Sequence, residues 1–288
     1  MRTAAVARGP RKYTVGMILS VASSTSPSAL SLSLALVAVC CYGVAALPPA
    51  TTGRLSLPAM LAGWLTHGLV LLLDVGGIGQ PEAGIHLGFG PVLSMTVWLV
   101  LTVHTVESRL VPLPVVRRAL ALAGGAAVAL AVAFPGEPIR SPSPWAPLHW
   151  VLGVGSYALF GAAVLHAAFL DAAERRLRLR TGAPLGALGM PLLRLERLTF
   201  RFVEVGFVVL SAAIVLGIAT TAHWRWDHKT VFSLLGWGLF AALLTGRHLR
   251  GWRGRRATGW LYAGTALLLL AYVGSRFVLE VLLDRPLA

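Results

Sequence analysis

The sequence predicts an all-α protein, a polytopic membrane helical bundle of about eight transmembrane helices with both termini extracytoplasmic. Three observations lead there. Of 288 residues, 56% are hydrophobic and 12% charged, and the mean hydropathy is +0.75, too apolar for a soluble globule. The apolar residues fall into eight runs, each approaching the ~20 residues a helix needs to cross ~30 Å of hydrocarbon. The cations, finally, collect in alternate gaps between the runs, as the positive-inside rule requires.

Residues 1–26 are basic, then Ser/Thr-rich, and contain Met17, a second candidate start. They are expected to be a disordered leader, with 27–288 forming a single transmembrane domain. The runs occupy about 27–47, 57–75, 89–106, 116–134, 148–170, 203–222, 229–246 and 257–283. The fourth is weakest: between Arg118 and the Pro135-Gly136 stop, half its residues are Ala. A re-entrant segment is the alternative there, and eight spans is the expectation. Connections one, three, five and seven carry Arg54, then Arg109, Arg117 and Arg118, then the arginines of 175–201, then those of 247–256. These connections are therefore expected in the cytoplasm and the even ones outside.

In connection five, Glu174 and Arg178 stand one helical turn apart and extend the fifth run as a charged helix. After a Gly/Pro-containing break at 182–191, Arg194, Arg197 and Arg201 lie opposite Leu192, Leu195 and Phe202, which predicts an interfacial helix entering the sixth run. The net charge of +14 follows this topology and gives no reason to invoke nucleic acid. Cys40 and Cys41 are adjacent within an apolar run, so they neither staple loops nor form a CxxC pair. With no CxxCH motif, the chain is not itself a c-type cytochrome.

The densest polar and aromatic cluster is His223-Trp224-Arg225-Trp226-Asp227-His228-Lys229, between runs six and seven on the outer face. Such groups are costly at a bilayer boundary unless something uses them. Trp145 and Trp150 open run five on the same face, so an interfacial aromatic belt is one reading. The other is a surface for a flat dianionic ligand, the indoles meeting its plane and Arg225 and Lys229 its carboxylates. His149 and His228 open runs five and seven at similar depth, as two axial ligands of one iron must. Interfacial imidazoles among headgroups are the simpler account. His223 is an outside contender, and His86 lies outside at the start of run three. His67 falls mid-run and should face the bundle, as a second metal ligand or, preferably, as a hydrogen bonder between helices. His104 and His166 read as packing residues, and His248 belongs to the basic turn. No hydrolytic or transferase constellation is visible.

The segment Trp224-Arg225-Trp226-Asp227 with Lys229 resembles the tryptophan-rich "WWD" segment of CcsA/CcmC-type cytochrome c assembly membrane proteins. Leu148-His149-Trp150, Ser156-Tyr157-Ala158, His228 to Ser233, Gly251 to Arg256 and Ala271 to Phe277 look like the YpjD/HemX-like branch of that family. The resemblance is strongest over 148–283. It departs at Thr220-Thr221, where the full motif has Trp-Gly, and at His228, where Pro is usual. The resemblance implies a bacterial inner-membrane, multi-pass protein that handles haem b, held non-covalently at the outer face between His149 and His228, the two metal ligands. Trp224, Trp226, Asp227, Arg225, Lys229 and His67 complete the implied cofactor site. It also implies handling rather than independent catalysis, beside an assembly partner that supplies thiols. A haem-free accessory or regulatory subunit is the alternative. A small-solute transporter is a weaker one, since no internal duplication is visible.

Overall fold

The computed structural model describes residues 28–48, 51, 53–78, 85–108, 114–136, 138–139, 143–179, 192–220 and 226–278; the expected leader lies outside them. Eight helices among these residues are long and apolar enough to cross a membrane. They are α1 (Ala29–Ala46), α2 (Ser56–Val75), α3 (Phe89–Ser108), α4 (Pro114–Ala133), α5 (Ala146–Arg178), α6 (Leu192–Thr220), α7 (His228–Arg250) and α8 (Gly254–Leu269), which runs on through a π-helical turn, Leu270–Gly274. Two-residue strands β1 (Ile85–His86) and β2 (Pro138–Ile139) pair antiparallel between the α2–α3 and α4–α5 connections.

The helices form two halves. In the first, α1 packs on α2 and α4, and α3 on α4. Its centre is the fully buried Tyr42, with Met60, Val70, Leu101 and Val128 around it. In the second, α5 packs along α6, and α7 along α8. Phe160 of α5 stacks on Phe240 of α7, ring centroids 3.9 Å apart, amid Phe200, Leu261 and Leu268. Contacts of α5 with α3 join the halves.

The Ala-rich fourth run is a complete 20-residue helix, and its composition has a packing cause. Ala121, Ala127, Val128 and Ala131 are buried, and a Cβ on Gly124 would stand 2.9 Å from Tyr42 Cζ and 3.0 Å from Leu101 Cδ1. Small residues let neighbouring backbones approach where lipid provides no hydrophobic drive between helices. The same helix stabilises its neighbour, because Arg118 Nε donates to the Ala46 carbonyl at the end of α1, 2.9 Å away, a cation on a helix C-terminus.

The expected interfacial helix at 192–201 is corrected. Residues Leu192–Thr220 form one continuous helix. Its first turns meet the overhang of α5, whose 33 residues reach about 50 Å. Leu195 is buried there with Leu170, and Glu196 takes Arg247 of α7 at 2.9 Å. The apolar face predicted to lie among headgroups has a protein partner instead.

Gly124→Val is expected to cost about 1–3 kcal/mol by overpacking against Tyr42, lowering Tm in detergent. Gly43→Ala, where an added Cβ meets nothing within 4 Å, should leave Tm unchanged or raise it, alanine being the better helix former. Equal shifts for the two would refute the packing account.

Candidate functional site

His149 stands in the first turn of α5, behind Pro147, which suits a helix start because its missing N–H has no intrahelical partner to lose. Its Nδ1 donates to the Ala213 carbonyl of α6 at 2.9 Å. His166 and His248 also donate from Nδ1, but to carbonyls of their own helices, Ala162 at 2.7 Å and Leu244 at 2.8 Å. The His149 bond crosses from one helix to another. It assigns the proton to Nδ1 and leaves the lone pair on Nε2, the arrangement that metal-binding imidazoles use.

His149 lines a cavity of about 90 Å³. Trp150, Gly153 and Tyr157 of α5 share its wall, with Leu210, Ala213 and Ile214 of α6, and Lys229 and Ser233 of α7. Lys229 and Ser233 are four residues apart, so they share a helix face. Leu87, beside β1, and Tyr272, in the π-helical turn, close the remainder. The Tyr272 hydroxyl donates to the Leu87 carbonyl at 2.9 Å, and Lys229 Nζ lies 5.2 Å from the Tyr272 ring centroid. A π-turn at this point is in keeping with the habit of such irregularities to occur at functional positions.

The starts of α5 and α7 therefore meet at one end of the bundle, bringing His149 and Lys229 to the same cavity. His228 is exposed beside Lys229, about 100° further around the helix, and does not line the cavity. Asp227 is the N-cap of α7, its side chain accepting from the Thr230 N–H at 2.8 Å. Trp226 is 73% exposed. His223, Trp224 and Arg225 lie outside the described residues. His67 is in the other half, fully buried, with Nδ1 3.1 Å from the Tyr42 hydroxyl and Nε2 2.7 Å from Ser94 Oγ. Both its ring nitrogens are engaged, which matches the hydrogen-bonding alternative. His86 is 3% exposed, and neither of its nitrogens has a hydrogen-bond partner. Among the described residues, no group of three or more His, Cys, Asp or Glu side chains is gathered to hold a metal ion.

Sequence reasoning did not single out Tyr157, Tyr272, Ser233, Ala213 or Gly217. The first three sit inside the quoted segments that carried the resemblance. Nothing in the sequence marks Ala213 or Gly217, since a carbonyl and a missing Cβ acquire meaning only across a helix interface.

The model of the family described as "Cytochrome C assembly protein" matches residues 28–283. The chain belongs to the cytochrome c assembly protein family. It is 29% identical to "Inner membrane protein YpjD" of Escherichia coli K12 over 241 residues, covering 80% of this chain and 88% of that one. It is 34% identical over 168 residues to an uncharacterized 28.8 kDa protein of Azospirillum brasilense, covering 55% of this chain and 61% of that protein. The "Cytochrome c biogenesis protein CcsA" of Gloeobacter violaceus is 33% identical over 91 residues, which is 30% of this chain and 27% of CcsA. The match to CcsA thus spans about a quarter of that protein's length. No solved structure matches. In this family member, the aspartate of the tryptophan-rich segment has a definite local task in capping α7.

Asp227→Ala is expected to cost about 1 kcal/mol, the usual loss on removing an N-cap, read as a fall in Tm. Asp227→Ser should restore most of it. A Tm unmoved by the alanine change would refute the capping role.

Proposed function

We propose that this protein binds haem b non-covalently at the extracytoplasmic face of a bacterial inner membrane and hands it on during cytochrome c assembly. The observation that carries the reading is the His149 imidazole, its Nδ1 proton committed to Ala213 O at 2.9 Å, in a cavity shared with Trp150, Tyr157, Tyr272 and Lys229.

These residues suit a haem. His149 Nε2 has the lone pair an axial ligand needs, the aromatic side chains suit the faces and edges of a macrocycle, and the Lys229 ammonium suits a propionate. When bound, haem would supply a redox-active iron and the vinyl groups to which an apocytochrome's thiols attach. The chain's own part would be retention and orientation: His149 and, from the first turn of α7, His228 would hold the iron, and Trp224, Trp226 and Arg225 would cover and pair the exposed portion. Asp227 starts the helix that carries His228 and Lys229. His67, with both nitrogens engaged, contributes to haem only by supporting the first half of the bundle. Cys40 and Cys41 are neighbours on α1, so the thiols are proposed to come from an apocytochrome or an assembly partner. The proposed orientation, both termini outside, follows from the arginine-rich odd connections.

A second reading, a haem-free accessory subunit, draws support from the cavity's size. At about 90 Å³ it is well below the ~300–1,000 Å³ of ordinary small-molecule pockets, with room for a ligand's edge and not for an enclosed macrocycle.

Absorption spectra of the purified protein titrated with haemin separate the two. A low-spin, bis-imidazole Soret and α-band is expected. His149→Ala should weaken binding at least about tenfold, a typical lower bound for losing even a supporting group, and His228→Ala should turn the spectrum high-spin until free imidazole is added. Bands that survive both substitutions would exclude these ligands, and no bands at all would favour the accessory reading. A periplasm-active reporter inserted between residues 221 and 226 is expected to be active; activity only for insertions in 180–191 would invert the topology.

A further inference from the structure

Gly217 lies one turn beyond Ala213 on α6. An ideal Cβ at this glycine would stand 2.9 Å from Cε1 of His149, 3.3 Å from its Nδ1 and 3.7 Å from its Nε2. The three nearest atoms all belong to one imidazole, and 2.9 Å is closer than real Cβ contacts come. Gly206 on the same helix shows the contrast: a Cβ there would meet Phe160 and Leu159, the usual reason for a small residue at a helix contact. At 217 the vacated space is given to a ring with a chemical use. That ring is also held from Nδ1 by Ala213 O. The carbonyl sets its tautomer and direction, and the bare glycine sets how closely it lies against α6.

Resting on the haem-binding reading above, we propose that Gly217 and the Ala213 carbonyl form a seat for the His149 imidazole, and that Gly217 is a positioning residue for its axial ligation. A methyl group at 217 pushes the ring off α6. The ring must then stretch the Nδ1 bond or swing out of the direction that bond now gives it. Either response weakens ligation without removing any group that touches the haem.

Gly217→Ala, in full-length protein in lipid nanodiscs, is expected to weaken haemin binding about tenfold, in the range for losing a group that orients a metal ligand. Its low-spin bands should shift partly to high-spin and its midpoint potential should move. Gly238→Ala on α7, where an added Cβ meets nothing within 4 Å, should match the unmodified protein. His149→Gly supplied with free imidazole provides the decisive background, since an untethered ring can settle clear of the methyl group. There Gly217→Ala should carry no penalty, and recovery of the spectrum also shows that the doubly changed protein folds. In haem-free protein, ¹⁵N shifts of the His149 ring should report the Nδ1–H tautomer, and Gly217→Ala should mix it with the other.

The results separate the two ideas. Unchanged binding in His149→Ala overturns the haem-ligation reading, while the ¹⁵N shifts still decide whether the seat exists. Loss of binding in His149→Ala alongside normal binding and an unmixed tautomer in Gly217→Ala overturns the seat alone. A Gly217→Ala penalty that persists with free imidazole also overturns it, by making the glycine an ordinary packing residue.

Discussion

The site turns on a carbonyl that serves two donors. A helix in hydrocarbon must satisfy its backbone internally, so Ala213 O is already committed to the N–H one turn ahead. A carbonyl oxygen has a second lone pair, and His149 uses it. This is an economical way to orient an imidazole inside a membrane protein, since it adds no carboxylate that would then need its own partner. The bond requires the start of α5 and the far part of α6 to lie side by side in one register, and their long shared interface provides that.

The two halves use polar groups differently. In the first, Tyr42, His67 and Ser94 form a hydrogen-bonded chain across α1, α2 and α3, and Trp64 and Trp98 stack 5.6 Å apart with their planes nearly parallel. Both nitrogens of the His67 imidazole are taken by side chains of neighbouring helices, so the chain specifies which helices adjoin and leaves His67 no free lone pair for a ligand. In the second half, the comparable group is His149, which uses one nitrogen to hold its position and itself lines a cavity. His149, His166 and His248 donate from Nδ1 to a backbone carbonyl, and of these His149 alone reaches another helix.

The eight spans were legible because bilayer thickness fixes their length and lipid fixes their composition. The fourth was hard to read for the same physical reason that it packs well: Ala and Gly lower its hydropathy while letting α4 approach Tyr42. The amphipathic start of α6 misled because an apolar face opposite arginines looks the same whether it meets headgroups or the overhanging end of α5. At the site, histidines and tryptophans announce themselves by chemistry, and topology alone brings the starts of runs five and seven together, although the residue that joins His149 at the cavity is Lys229 where His228 was expected. Ala213 and Gly217 were silent, since one acts through its backbone and the other through a side chain it lacks.

The first half is nevertheless part of the site. Leu87 follows β1 immediately, and its carbonyl accepts the Tyr272 hydroxyl from the π-helical turn after α8. Tyr272 in turn lies beneath Lys229. Pairing of β1 with β2 ties the segment before α3 to the one after α4, which limits how far Leu87 can drift from the second half. Shifting β1 would therefore move a hydrogen-bond acceptor, then the tyrosine that depends on it, then the surface on which the lysine rests. The second half carries the ring and the cation, but the first supplies the fixed point against which that wall of the cavity is set. A fragment containing only α5 to α8 would keep His149 on Ala213 and lose the acceptor that positions Tyr272.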